Sequence, residues 1–306
     1  MARMIPLFWR PSGVRLMLLS DPSIKLSDDE FRLLRDFIHE YCGIFFDDAS
    51  KYLLERRLSN RLRQLHIASF KDYYRFLRYD RRRDDELVQA MDVLTINETY
   101  FFREQRQLDA FSKEILPELK ERNVLSRKIR IWSAGCSTGE EPYTLAMLIM
   151  EDGGFAGWDV SIFGSDINQR VLQNARRGVY RQNSFRTIDK YFLGRYFEPD
   201  EGETYRISDR VKRYVNFGNL NLVEAARLRF LDTMDVIFCR NVMIYFDESA
   251  KKKVVQNFYD RLTDGGYLLL GHAESLINIS TAFRLKHLVN DMVYQKNPPA
   301  AGGGSK

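Results

Sequence analysis

A small-residue turn followed by two carboxylates is the first place in this sequence where chemistry could sit. Ser133, Ala134, Gly135, Cys136, Ser137, Thr138 and Gly139 leave almost no side-chain bulk after the apolar Ile131 and Trp132, and Glu140 and Glu141 follow at once. A turn this bare lets a ligand touch backbone directly. A dinucleotide loop has glycines at three spaced positions, so that N–H groups can hold a pyrophosphate. Here only Gly135 and Gly139 are present, and the two glutamates would repel a pyrophosphate. Carboxylates suit a ligand with an ammonium or sulfonium charge. A tight structural turn with solvated glutamates would have the same sequence.

Two more stretches could face the same ligand. Asp166 lies about 30 residues beyond the turn, just past a second apolar run. An acid there can accept both hydroxyls of a ribose, since ligands of open α/β sheets bind beyond the carboxyl ends of strands. Alternatively, Asp166 only caps the helix that starts near Gln169. Asn241 ends a later strand on that same side, and Tyr245 follows one helical turn on, either as a site residue or as a partly buried aromatic. Of the four histidines (His39, His66, His272, His287), His272 follows a strand and is a candidate base by location, but it reads as structural, and none is a convincing catalytic base. Cys42, Cys136 and Cys239 fit no metal-ligand spacing, so no metal is expected.

The elements that must position these residues read in two blocks. Ser27 with Glu30 makes a capping box, Phe31, Leu34, Phe37, Ile38 and Tyr41 recur at helical spacing, and Gly43 ends the helix. Three more helices are expected over about Ser50–Leu65, from a Ser69 cap, and around Asp84–Leu94, giving a small all-α domain over 26–94. A helix through Phe111 and Ile115 follows, shortened or bent at Pro117. Strands and helices then alternate: strands at Ile129–Ser133, Val160–Gly164, Val236–Cys239, Tyr267–Gly271 and near Met292–Gln295, with helices at 141–151, Gln169–Arg176 and Ser249–Leu262. This pattern predicts a doubly wound, Rossmann-like α/β domain over 95–297. Tyr191–Phe217 breaks the alternation and reads as a small antiparallel β insertion, with strand-like runs at Thr204–Ile207 and Val211–Phe217.

Residues 1–25 read as a loosely attached arm and 298–306 as a disordered tail. No apolar run is long enough for a membrane span, and with three scattered cysteines the expected compartment is a reduced cytoplasm. The net charge of +5 is uneven: Lys51–Arg83 holds eleven Lys/Arg against three acids. An excess confined to one region suggests a local acidic partner, although a charge-rich helix is also an ordinary solvated face.

Taken together, NETYFFRE (Asn97–Glu104), WSAGCSTGEEPYTLAM (Trp132–Met147), SDIN (Ser165–Asn168), ARRGVY (Ala175–Tyr180), FCRNVMIYFD (Phe238–Asp247) and GGYLLLGHAESL (Gly265–Leu276) resemble the chemotaxis receptor methyltransferases, the CheR family. The resemblance runs in order over about residues 26–296. It implies S-adenosylmethionine (SAM) as methyl donor, S-adenosylhomocysteine as product, and glutamate side chains on chemoreceptor cytoplasmic helices as acceptors. It also implies the layout read above, with an N-terminal helical domain and a SAM-binding domain bearing a small β-subdomain. Asn97, Thr99 and Arg103 match cofactor contacts from the domain junction. Gly135 lies in the cofactor turn, Glu141 near the methionine end, and Asp166 at the ribose. Asn221, Leu222, Asn241 and Val242 match residues around the adenosine, while Arg103 and Tyr245 match groups beside the transferred methyl.

On this resemblance, Arg56, Arg57, Arg61 and Arg63 would dock a glutamate-rich receptor bundle. A monomer with no nucleic-acid partner and no membrane insertion is expected. Glu198–Arg213 is shorter than in family members that bind a receptor C-terminal pentapeptide, so independence from that tether is expected. Two rival readings are a non-catalytic SAM-binding scaffold and an RNA methyltransferase. The Asp/Asn-Pro-Pro-aromatic run of N-methylating enzymes is replaced here by CRNVMIYF.

Overall fold

A computed structural model describes residues 24–297. The expected arm, apart from its last two residues, and the expected tail lie outside the described residues. The helical block forms as its capping signals direct. Helix α1 spans Asp28–Cys42; Ser27 Oγ accepts from the Glu30 N–H at 3.3 Å, and Glu30 returns a carboxylate to the Ser27 N–H at 2.9 Å. Gly43 takes the left-handed conformation that ends it. Helices α2 (Lys51–Gln64), α3 (Phe70–Tyr79) and α4 (Arg83–Leu94) follow, with Ser69 capping α3. Their apolar faces share one core that includes Leu34, Leu54, Leu58, Leu62, Phe70 and Leu87. Each such leucine, once buried, contributes roughly 1.5–3 kcal/mol.

The second block opens with α5 (Gln105–Ala110) and α6 (Leu116–Arg122), joined by a π-helical turn at Phe111–Ile115. The chain therefore stays helical past Pro117. The wider turn just before it takes up the irregularity that a proline imposes. Strand β1 (Lys128–Ala134), α7 (Glu140–Asp152), β2 (Asp159–Asp166) and α8 (Gln169–Arg177) begin the alternation. Then come β3 (Val179–Arg181), α9 (Lys190–Tyr196), β4 (Phe197–Asp200), β5 (Thr204–Ile207), α10 (Asp209–Lys212) and β6 (Val215–Asn219). The chain closes with α11 (Ala225–Leu228), β7 (Met234–Cys239), α12 (Glu248–Arg261), β8 (Leu262–Leu270), β9 (Phe283–His287) and β10 (Met292–Lys296).

Seven strands form the main sheet in the order β6-β2-β1-β7-β8-β10-β9, parallel from β6 to β8 and antiparallel beyond. Order reverses across β1 and β7, which puts the ligand crevice beyond their carboxyl ends. The small sheet is β3-β5-β4, fully antiparallel. Here the structure departs from the sequence reading. The run Val211–Phe217 is not an insertion strand: Asp209–Lys212 is helical, and Val215–Asn219 pairs in parallel with β2 at the edge of the main sheet. The third strand of the insertion is instead Val179–Arg181. Short β-branched and aromatic runs carry no mark of which sheet they join; the partner strand decides it. No helix among the described residues is long and apolar enough to cross a membrane.

Candidate active site

A cavity of about 430 Å³ lies where β1, β2 and β7 end, between the α/β domain and the helical domain. Its floor is the small-residue turn. Gly135 sits there at φ 81°, and a Cβ in its place would stand 2.3 Å from a Val242 methyl. Glycine thus allows the turn to nest against the segment after β7. The N–H groups of Gly135 and Cys136 both bond the Ser165 carbonyl, at 2.8 and 2.9 Å, and Ser137 donates its N–H to Asp166 Oδ2 at 2.9 Å. The turn is therefore held by the end of β2.

The two glutamates after the turn separate. Glu140 is buried and tied to Thr138 Oγ1 at 2.6 Å and Ser184 Oγ at 2.9 Å, so it braces the turn against the β3 region. Glu141 lines the cavity, accepts from Ser133 Oγ at 2.7 Å, and pairs with Arg240 at 3.1 Å. Burial pushes the Glu141 carboxyl upward, and Arg240 opposes that shift. The residue types alone left both carboxylates open to a ligand and the resemblance singled out Glu141; helix periodicity at the start of α7 places only Glu141 at the cavity.

Asp166 ends β2 as a buried carboxylate. Besides Ser137, the Asn168 N–H donates to it at 2.9 Å. Desolvation dominates these bonds and pushes its pKa up to about 6. The capping role left open for Asp166 belongs to Asn168, which accepts from the Val171 N–H and starts α8. After β7, Asn241 adopts φ 60°, and its Oδ1 is buried with no hydrogen-bond partner. Glu274 holds this segment: its carboxylate accepts from the N–H groups of Asn241 at 2.8 Å, Val242 at 2.9 Å and Gly271 at 2.7 Å. Asn221 and Leu222, after β6, complete that wall.

The domain junction forms the other wall. Asn97, Thr99 and Arg103 line the cavity, and the Asn97 carbonyl accepts from Ser137 Oγ at 3.3 Å. Arg103 is half-buried; it donates to the Glu98 carbonyl at 3.0 Å and lies 5.7 Å from the Tyr100 ring centre. Tyr245 is half-buried too. Burial raises its hydroxyl pKa, while the Arg103 and Arg57 guanidiniums draw it down. Every cofactor and catalytic candidate from the sequence reading thus lines one cavity.

The basic helix α2 splits by role. Arg57 reaches into the cavity and donates to the Leu94 carbonyl. Arg61, read as a docking side chain, is committed inward: it bonds both oxygens of the buried Glu86, at 3.0 and 2.5 Å, with Tyr73 on the same carboxylate. A cation spent on a buried anion is not available to a partner. Arg56 packs on Tyr52 and Arg63 on Asn60, both on the exposed side. Sequence reasoning missed Arg240 and Glu104, which pair across the site, and the lining loop Ile44–Phe46. Arg240 and Glu104 lay inside the quoted motifs, so charged residues within apolar motif segments were the available signal.

This Rossmann-like sheet, with its carboxylates at the ends of β2 and the start of α7, is that of a SAM-dependent methyltransferase. Residues 97–290 match the CheR methyltransferase SAM binding domain and residues 29–95 the CheR methyltransferase all-alpha domain, and the chain belongs to that family. Chemotaxis protein methyltransferase 2 of Vibrio cholerae serotype O1 is 36% identical over 279 residues, covering 89% of this chain and 94% of that protein. The chemotaxis protein methyltransferase of Borreliella burgdorferi is 36% identical, covering 83% and 90%. That of Escherichia coli K12 is 34% identical, covering 89% and 93%. The cofactor is SAM. The cavity fits it on two grounds: buried carboxylates suit a sulfonium, an ammonium and ribose hydroxyls, and the unpartnered Asn241 Oδ1 suits an N–H donor.

Proposed function

We propose that the chain methylates glutamate side chains on the cytoplasmic helices of chemoreceptors, giving glutamate methyl esters. The observation that carries this reading is the charge division of the cavity. Its lining brings together the buried carboxylate of Asp166, the partly buried carboxylate of Glu141 with its partner Arg240, and the half-buried Arg57, Arg103 and Tyr245. A cationic donor suits the two carboxylates and an anionic acceptor the half-buried groups. In this reading Asp166 accepts the ribose hydroxyls and Glu141 the ammonium. Asn97 and Thr99 close over the donor from the junction, while Asn221, Leu222, Asn241 and Val242 surround the adenosine.

Bound SAM supplies a methyl carbon activated by the adjacent sulfonium, and the C–S electron pair stays on sulfur when an acceptor oxygen takes that carbon. A glutamate carboxylate is already ionised at neutral pH, so no general base has to be supplied. What the chain must do is align. Arg103 and Arg57 attract and orient the acceptor carboxylate, and the Tyr245 hydroxyl donates a weaker orienting hydrogen bond. Orientation of this kind is worth roughly 7–11 kcal/mol in well-aligned systems. The Ile44–Phe46 loop of the helical domain lines the site and would limit the access of water to it.

Arg56 and Arg63, on the outer face of α2, are read as the side chains that dock an acidic receptor surface. In the β-subdomain, only Glu201, Gly202 and Glu203 connect β4 to β5. This short turn supports independence from a receptor C-terminal pentapeptide. The chain is read as a cytoplasmic monomer.

The test is transfer of labelled methyl from SAM to receptor cytoplasmic fragments, with and without the C-terminal tether. A base-labile product on glutamates, equal in both, is expected. SAM binding with no transfer to any fragment would overturn the reading, and calorimetric binding of the free tether peptide would overturn its pentapeptide clause.

A further inference from the structure

Arg240 stands just past β7 with its side chain only 3% exposed. Nothing in the chemistry above uses it. Its Nη1 donates to Glu141 Oε2 at 3.1 Å, and its Nε and Nη2 donate to Glu104 Oε2 at 3.3 and 3.1 Å. Nη2 also donates to the Arg103 carbonyl. One guanidinium therefore joins the first turn of α7, the junction segment and the end of β7.

The segment it holds is unusual. Phe102 and Glu104, on either side of Arg103, both have φ 58°. Left-handed backbone at non-glycine residues persists only where the surroundings over-determine it. Arg240 grips that turn twice, by the Arg103 carbonyl and the Glu104 carboxylate. The same cation stands between two carboxylates. The groups that face Glu141 are Arg240, the Glu104 carboxylate, the Ser133 hydroxyl and the thiols of Cys136 and Cys239. Arg240 alone among them is a cation.

We propose that Arg240 is the positioning residue of the site: it holds the Glu141 and Glu104 side chains together and locks the turn that presents Arg103. One side chain then sets both the charge that attracts the donor and the placement of the group that orients the acceptor. The inference rests on the assignment of Glu141 to the ammonium end of SAM. Without Arg240, two neighbouring, partly buried carboxylates lose the cation between them, and Glu141 takes up a proton more readily. A neutral Glu141 attracts an ammonium less. Lysine keeps a positive charge but cannot span two carboxylates and a carbonyl at once.

The experiment is calorimetric SAM binding to the full chain between pH 6 and 8.5, for wild type, Arg240→Gln, Arg240→Lys and Glu141→Gln, with thermal unfolding alongside. Arg240→Gln is expected to bind SAM more weakly at the acid end of this range, by up to about tenfold for each unit of carboxyl shift, with the deficit shrinking as pH rises. Glu141→Gln is expected to lose affinity by a factor that does not recover with pH. A deficit in Arg240→Gln that stays constant with pH, beside a weakened Glu141→Gln, would overturn the inference. Wild-type affinity in Glu141→Gln would instead overturn the assignment beneath it. Arg240→Lys carries the test if the Gln variant does not fold: kcat about tenfold lower with KM for SAM near wild type is expected, and an unchanged kcat overturns the locking role.

Discussion

Asp166 shows how one residue can be cheap to read and costly to keep. Its carboxylate is buried, holds two backbone N–H donors, and still has lone pairs for two hydroxyls. Asp166→Ala should weaken SAM binding about 100-fold, since hydrogen bonds to a charged group are worth roughly 1.5 kcal/mol or more each. Near-unchanged affinity by calorimetry would remove its ribose role. Its pKa of about 6, against an ordinary 3.8 for an aspartate, also fixes a sign. The native state holds this proton more tightly than the unfolded chain, so Asp166 lowers stability as pH rises from about 4 to about 6, and its effect is constant above that. Over that window the ligand-free wild type should lose roughly 3 kcal/mol relative to Asp166→Ala in denaturant titrations. SAM that requires the ionised carboxylate should bind progressively less well as pH falls below about 6.

At the scale of one element, the arginines of α2 do three different jobs on different sides of the helix. The sequence places Arg57 and Arg61 together, one turn apart, and that spacing is realised. What it could not show is that Glu86, on α4, takes Arg61 out of solvent while Arg57 turns to the cavity. Glu86 is only 4% exposed, so Arg61→Ala leaves a buried carboxylate unpaired and should cost about 3–5 kcal/mol. A marked fall in Tm checks this. Arg56→Glu should leave Tm and SAM affinity unchanged and lower the rate of receptor methylation, with the gap to wild type closing as salt rises. Equal rates at low salt would show that the outer face of α2 is only solvated. The β insertion teaches a similar lesson. Thr204–Ile207 was legible as a strand, but Val215–Asn219 joined the main sheet because β2 offered it a parallel edge.

In the whole molecule, the helical domain is bound to the α/β domain at the cavity itself. Asn168 Nδ2 donates to Thr95 Oγ1 at 2.7 Å, Asn221 Nδ2 to the Tyr41 carbonyl at 2.6 Å, and the Phe45 N–H to the Tyr245 carbonyl at 2.9 Å. Each bond ends on or beside a cavity residue, so a ligand there should steady both domains. SAM at 100 times its Kd should add about 2.7 kcal/mol to unfolding. It should also slow hydrogen exchange at Ile44–Phe46. Exchange there that ignores SAM would show that this loop does not cover the donor.

The sequence by itself determined the two-domain order, most helices and strands, and the set of motif residues that meet in one cavity. Caps, hydrophobic periods and small-residue turns are local, and their physics acts within a few residues. Only the tertiary structure decided which charges are spent on one another. Arg61 with Glu86, Glu140 with Ser184 and Arg240 with Glu104 and Glu141 are pairings across 25 to 136 positions of chain. In a buried setting such a pairing settles whether a charged side chain is structural or free to meet a ligand. The opening turn kept its reading as a ligand loop, but one of its two glutamates proved to be its brace.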